Sequence, residues 1–145
     1  GYREGMQASG LSVASHLVVQ AHYSRREAFA ETQQLMKAHP EVTALFAFNE
    51  DMAVGAADAL HALGMKIPED VSLVSFDDCA EIENYAPPIS AIRQFPYKVG
   101  FASCELLISV LEGDTKTRKP QTRLIDTEFM ERSSMAPAAS RRGQG

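Results

Sequence analysis

The hydrophobic residues of this chain form short apolar runs separated by longer stretches with helical spacing. The most distinct run extends from Val71 to Phe76 and ends on two carboxylates, Asp77 and Asp78. An apolar, β-branched run of this length is typical of a strand that is buried on both faces of a parallel sheet. Because open α/β sheets bind ligands beyond the carboxyl ends of their strands, the pattern predicts a ligand-binding edge at Asp77.

Strand and helix patterns alternate along the rest of the chain. Ser24 and Glu27 fit a capping box that begins one helix, and Gly64 fits the residue that ends the next. The predicted strands are residues 16–19, 43–48, 71–76, 89–94 and 122–129. The predicted helices are residues 2–8, 25–39, 50–63, 80–84 and 96–112. The last helix is expected to end at Gly113 and Asp114 and to be followed by a polar loop over 115–121. This alternation indicates a parallel α/β fold with right-handed crossovers.

Composition limits the function classes. With 145 residues, 45% of them hydrophobic, the chain is expected to form one domain, and its net charge of −5 argues against a nucleic-acid surface. Two cysteines and four histidines lack the spacing of a disulfide framework or a metal site, so no metal and no cofactor are expected. No membrane-spanning run or catalytic motif occurs, which predicts a non-enzymatic, cytoplasmic protein without a membrane partner.

Four blocks in order resemble one family. Residues 44–56 include Phe-Asn-Glu-Asp-Met-Ala-Val-Gly, similar to that family's N-D-x-M-A-x-G helix start. Residues 64–78 resemble its G-x-x-V/I-P-E-D-V-S-V-V-G-F-D-D signature, residues 87–94 its P-P-L-T-T-I-x-Q block, and residues 131–134 its terminal E-R-x-S. The chain thus resembles the LacI/GalR (lactose/galactose-repressor) family of bacterial transcription regulators.

The resemblance implies the C-terminal part of an effector-binding core. It predicts a three-layer, parallel-sheet lobe of the type I periplasmic-binding-protein-like fold over residues 1–134, whereas the Ala, Ser, Gly and Gln composition of residues 135–145 predicts a disordered tail. It also implies a small-molecule effector, a homodimer, and operator DNA bound only through an N-terminal headpiece absent from this chain. In the family, a helix corresponding to 97–112 packs on the N-terminal lobe, so its apolar face is expected here to be exposed, swapped with a second copy, or repacked.

Four side chains are predicted to bind the ligand. Asp77 could accept hydrogen bonds from the hydroxyl groups of a sugar or nucleoside, although a turn or capping aspartate is the structural alternative. Asn49 could bind a hydroxyl or simply cap a helix, and Asp78 is expected to act as a cap. The resemblance implies that Gln94 makes a polar contact and that Tyr23 stacks on the ligand; a surface glutamine and a rim or core tyrosine are the alternatives.

Two other functions remain open at this point. An exported sugar-binding protein of a transporter would use the same lobe, although the segment from Pro68 to Ser72 and the ending at Glu131 favour the regulator. An enzyme that uses Asp77 and Asp78 to bind Mg²⁺ is the remaining alternative, and no matching lysine or threonine arrangement supports it.

Overall fold

A computed structural model describes residues 1–112 and 120–138 of the chain. Four strands form one sheet in the order β1-β2-β3-β4. Their bounds are β1 (Ala44–Ala47), β2 (Ser72–Phe76), β3 (Ser90–Arg93) and β4 (Glu128–Met130). The first three strands are parallel, whereas β4 runs antiparallel to β3. The parallel α/β fold predicted from the sequence is confirmed, with one antiparallel edge strand that the pattern did not indicate.

Five α-helices accompany the sheet in the described residues: α1 (Tyr2–Ala8), α2 (Arg25–Ala38), α3 (Glu50–Ala62), α4 (Ala80–Glu83) and α5 (Pro96–Glu112). Ser24 caps α2, because its hydroxyl oxygen accepts a hydrogen bond from the amide of Glu27 at 3.3 Å. Gly64 follows α3 with a φ of +72°, a conformation that glycine adopts without steric cost. Both predicted helix boundaries are therefore present.

The sheet separates two faces because successive strand residues point in opposite directions. On one face, Leu73 packs with Val54 and Leu60 of α3, all three at most 1% exposed. On the other face, the ring of Phe46 stacks on Tyr2 of α1, with 6.1 Å between centroids. The chain thus forms three layers, with α2 and α3 on one side of the sheet and α1 on the other.

The segment after β4 returns to the middle of the sheet. The buried hydroxyl of Ser134 donates to the carbonyl oxygen of Leu73 (2.5 Å) and accepts from the amide of Ser90 (2.8 Å). Ala136 exchanges two hydrogen bonds with the side chain of Ser72, at 3.0 and 3.1 Å. Ordered contacts therefore extend to Ala136, two residues beyond the predicted boundary at 134; residues 139–145 lie outside the described part.

Two strand predictions differ from the structure. The predicted strand His16–Val19 is wrong, because Ser15–Leu17 forms a short 3₁₀ helix. Val18 and Val19 are 45% and 39% exposed, and no strand of the described residues pairs with them. The last strand is also shorter than the predicted Thr122–Phe129, because β4 pairs with only three residues of β3.

Helix α5 exposes much of its apolar surface. Within it, Ala102 is the buried residue, whereas Phe101, Leu107 and Leu111 are 56%, 58% and 70% exposed. The predicted end of this helix at Gly113 and most of the following loop lie outside the described residues. No helix in the described part of the chain is long and apolar enough to cross a membrane.

Candidate functional site

Three parallel strands end together at one edge of the sheet. Ala47 of β1 is level with Ser75 of β2, and Ser75 is level with Ala91 of β3. The residues that follow these strands therefore meet at the same edge, which is the position where open α/β sheets bind ligands. The predicted polar ligand contacts that lie at this edge are Asn49, Asp77 and Gln94.

Asp77 and Gln94 form a direct pair. The backbone amide of Asp77 donates to the carbonyl oxygen of Ile92 at 3.0 Å, which extends the ladder between β2 and β3 by one bond. The side-chain amide of Gln94 donates to the Asp77 carboxylate. A carboxylate has about four acceptor sites, so Asp77 keeps acceptor capacity for hydroxyl groups beyond the one that Gln94 uses.

Asn49 is held at the start of α3. Its side-chain oxygen accepts a hydrogen bond from the amide of Met52 at 2.9 Å, the expected geometry of an N-cap. The capping role uses Oδ1, so a ligand contact from Asn49 would come from its Nδ2 donors. The structure thus shows the structural role of Asn49 directly and fixes its side chain beside the sheet edge.

A row of three aromatic rings crosses the same edge. Tyr23 meets Phe48 edge-to-face with 5.8 Å between centroids, and Phe48 stacks on Phe76 at 5.9 Å. Tyr23 is 66% exposed and Phe48 is 54% exposed, which leaves aromatic surface open to a ligand. Because Phe48 precedes Asn49 and Phe76 precedes Asp77, the aromatic row adjoins both polar residues.

Backbone strain is concentrated at this edge. Among the described residues other than glycine, those with positive φ are His22 (44°), Tyr23 (58°) and Asp77 (76°). Left-handed conformations cost about 1–2 kcal/mol for most residues and are tolerated best by asparagine and aspartate. Two of these three residues are predicted ligand contacts, and strained residues of this kind cluster at functional sites.

Asp78 does not cap a helix, which corrects that prediction. The N-cap of α4 is Cys79, and the Asp78 side chain is 3% exposed. It accepts hydrogen bonds from Arg93 (2.9 Å to Nε) and from both terminal nitrogens of Arg132 (2.8 and 3.1 Å). Burial raises the pKa of Asp78, but the two arginines outweigh it and hold that pKa below the ordinary value. Asp78 is therefore a buried, paired carboxylate.

Two features of this edge were absent from the sequence prediction. The sequence pattern assigns Phe76 only to a strand, although aligning the ends of the two apolar runs places it opposite Phe48. The partnership of Asp78 with Arg132 joins residues 54 positions apart, so local patterns carry no signal for it.

The arrangement does not match a site for Mg²⁺ on the two aspartates. Both oxygens of Asp78 accept hydrogen bonds from arginine, and Asp77 is paired with Gln94. No group of three histidine, cysteine or acidic side chains in residues 1–112 and 120–138 is arranged to hold a metal ion.

Comparison with known proteins identifies the class of the fold. Residues 1–135 match the family described as periplasmic binding protein-like domain, and the chain belongs to that family. Its relatives and structural neighbours are LacI-family transcription regulators, which confirms the resemblance carried by the four sequence blocks.

One relative is the HTH-type transcriptional regulator MalR of Clostridium butyricum, 31% identical over 92% of this chain and 39% of its own length. A complex of the transcriptional regulator CelR with cellobiose superposes with a TM-score of 0.83, at 30% identity over 92% of this chain and 40% of the other. A sugar-binding LacI-family regulator from Escherichia coli, complexed with phosphate, gives 0.80 at 26% identity over 94% and 48%. The chain spans about two fifths of the length of such curated relatives.

Proposed function

We propose that this chain is the effector-sensing part of a bacterial transcription regulator and binds a hydroxylated small molecule, such as a sugar, at the carboxyl edge of its sheet. The observation that carries the proposal is the Asp77–Gln94 pair beside the aromatic row. Asp77 accepts hydrogen bonds from ligand hydroxyls, and Gln94 orients its carboxylate. Tyr23 provides an apolar surface for a sugar ring, and Asn49 donates from its amide nitrogen.

The relatives favour a sugar and a regulator. The CelR structure is a complex with cellobiose, and its fold matches this chain with a TM-score of 0.83. The relatives are HTH-type regulators rather than transport proteins, which favours this function over an exported sugar-binding protein. The site assigned to the chain is a binding site, with no catalytic residue.

The remaining parts of the proposal concern the whole protein. Ligand binding stabilises one arrangement of two lobes and thereby changes the affinity for operator DNA, which is a shift of population between pre-existing states. Operator contacts come from a helix-turn-helix segment outside these 145 residues, and the regulator acts as a cytoplasmic homodimer. Helix α5 packs on the N-terminal lobe of the same regulator through the apolar residues that are exposed in this chain.

Calorimetric titration tests the site. The Asp77→Asn variant removes the charge, and asparagine tolerates the left-handed conformation at this position, so the fold is expected to persist. With a panel of sugars that includes cellobiose and lactose, we expect at least one to bind the wild-type full-length regulator. Loss of hydrogen bonds to a charged acceptor, each about 1.5–3 kcal/mol, predicts affinity weakened about 10- to 100-fold in the variant.

Asp70→Asn is the matched control, because Asp70 precedes β2 as Asp77 follows it. Its carboxylate accepts a hydrogen bond from the backbone amide of Lys66 at 2.8 Å, in the turn before the strand. This control is expected to bind like the wild type. Equal affinity in the wild type and Asp77→Asn, or no binding of any sugar in the panel, would contradict the proposal.

A further inference from the structure

Three charged side chains form a connected group directly behind the ligand-binding pair. This group, called here the Asp78 cluster, consists of Asp78, Arg93 and Arg132. Asp78 lies between the two arginines, with ion-pair distances of 2.6 Å to Arg93 and 2.8 Å to Arg132. The Asp78 and Arg132 side chains are 3% and 11% exposed, so the bidentate pair between them is shielded from water. A buried pair of this geometry is rigid, because moving either side chain away would leave the charge of the other buried and uncompensated.

The Asp78 cluster connects the ends of three strands. Asp78 follows β2, Arg93 is the last residue of β3, and Arg132 lies two residues after β4. Arg132 is itself held by the backbone: its side chain donates to the carbonyl oxygen of Ile89, and its amide donates to the hydroxyl of Ser90. Any movement of one strand end relative to the others would therefore stretch several charge-assisted hydrogen bonds at once.

The cluster adjoins both members of the ligand-binding pair. Asp78 is bonded covalently to Asp77, and Arg93 to Gln94. The side chains of Asp77 and Gln94 contact each other, and the side chains of the adjacent residues, Asp78 and Arg93, also contact each other. The backbone bond from the Asp77 amide to Ile92 adds a third link between the same two chain segments.

We propose that the Asp78 cluster is a positioning device that fixes the separation and orientation of Asp77 and Gln94 for ligand binding, without touching the ligand itself. Its relevance to binding rests on the proposed function, but its effect on the geometry of the edge does not. Asp78 and Arg132 are thus positioning residues, and the strained left-handed backbone at Asp77 persists because the cluster holds the next residue in place.

Hydrogen exchange tests this role without any ligand. In Asp78→Asn, the protection factor of the Asp77 amide should fall about tenfold relative to that of the Ser72 amide. Ser72 lies at the opposite end of β2 and donates to the carbonyl oxygen of Thr43 at 2.9 Å, so it reports the stability of the strand away from the cluster. A purely stabilising role would lower protection at both ends of the strand alike and leave the ratio unchanged.

Asp58→Asn is the matched control variant. Asp58 in α3 also pairs with an arginine, Arg25, and its pKa is also lowered by its partners against the opposing effect of burial. It lies nine residues after Asn49, which is about 13 Å along the helix. This variant should leave the Asp77 to Ser72 ratio within about twofold of the wild-type value.

Affinity for a sugar that binds the wild type supplies the second readout. Asp78→Asn should weaken binding by about tenfold per folded molecule, whereas Asp58→Asn should not. If Asp78→Asn does not fold, Arg93→Gln replaces it, because Arg93 is 36% exposed and its loss leaves the buried Asp78–Arg132 pair intact. Unchanged hydrogen exchange at the Asp77 amide in the folded variant overturns the positioning role. If exchange at Asp77 changes as predicted but neither the wild type nor any variant binds a sugar, the proposed function is overturned instead.

Discussion

Helices α2 and α3 approach each other closely at Gly55. A Cβ atom added at this position would lie 2.3 Å from the carbonyl oxygen of Arg25 and 3.0 Å from the Cβ of Ala28. The obstacle at Arg25 is backbone at the first turn of α2, so no side-chain rotation can relieve it. We therefore predict that Gly55→Ala forces the two helices apart by about 1 Å, the distance needed to restore ordinary van der Waals contact.

Two opposing effects set the size of the destabilisation. Alanine is favoured over glycine in a helix interior by about 1 kcal/mol, whereas inserting a methyl group into a closely packed contact costs about 1–3 kcal/mol. Because the contact distance lies far below any relaxed value, the packing cost is expected in the upper part of this range, at about 2–3 kcal/mol. The net loss of about 1–2 kcal/mol corresponds to a melting temperature lower by about 5 °C.

Gly100→Ala is the control for this prediction. Gly100 lies inside α5, and a Cβ there would have no heavy atom within 4 Å in the described structure. The same substitution should therefore be neutral or stabilising by up to about 1 kcal/mol. Thermal and urea unfolding of both variants measure the difference, and a Gly55→Ala variant as stable as the wild type would refute the close approach of α2 and α3.

Two further predictions concern the interior polar groups. The arginine partners of Asp78 lower its pKa in the folded chain below the ordinary aspartate pKa of 3.8. The stability that this pairing contributes is therefore fully present above pH 3.8 and is lost as the pH falls through the lower pKa of the folded chain. Urea unfolding should therefore show a smaller loss of stability below about pH 4 in Asp78→Asn than in the wild type, and parallel pH profiles would contradict the pairing. Ser134→Ala removes the acceptor for the amide of Ser90 and the donor to Leu73, and should cost about 1–3 kcal/mol in the same assay; a change below about 0.5 kcal/mol would show that these bonds are not needed.

Local signals predicted the helix boundaries correctly. Ser24, Asn49 and Gly64 occupy the cap positions that their side chains or backbone freedom favour, because capping depends on residues three or four positions apart. The ends of β1 and β2 were predicted to within one residue for a similar reason, since each apolar run stops at a polar residue.

Features that depend on distant partners were not predictable in this way. Val18 and Val19 have strand-like side chains, yet a strand requires a neighbouring chain, and none pairs with them in the described structure. Aspartate often caps helices, which is why the sequence indicates a cap at Asp78, but its partner Arg132 follows β4, 54 positions further along the chain. For the candidate site, the residue types were readable from the sequence, whereas the pairing of Asp77 with Gln94 and the aromatic row required the fold.

The central claim is that side chains at the carboxyl ends of three parallel strands jointly bind a hydroxylated molecule. A crystal structure of the full chain with a bound sugar tests this most directly. The account predicts ligand hydroxyl groups within hydrogen-bonding distance of the Asp77 carboxylate and the Gln94 amide, with a sugar ring against Tyr23. A sugar bound on another surface, without a hydrogen bond to the side chain of Asp77 or Gln94, would contradict it.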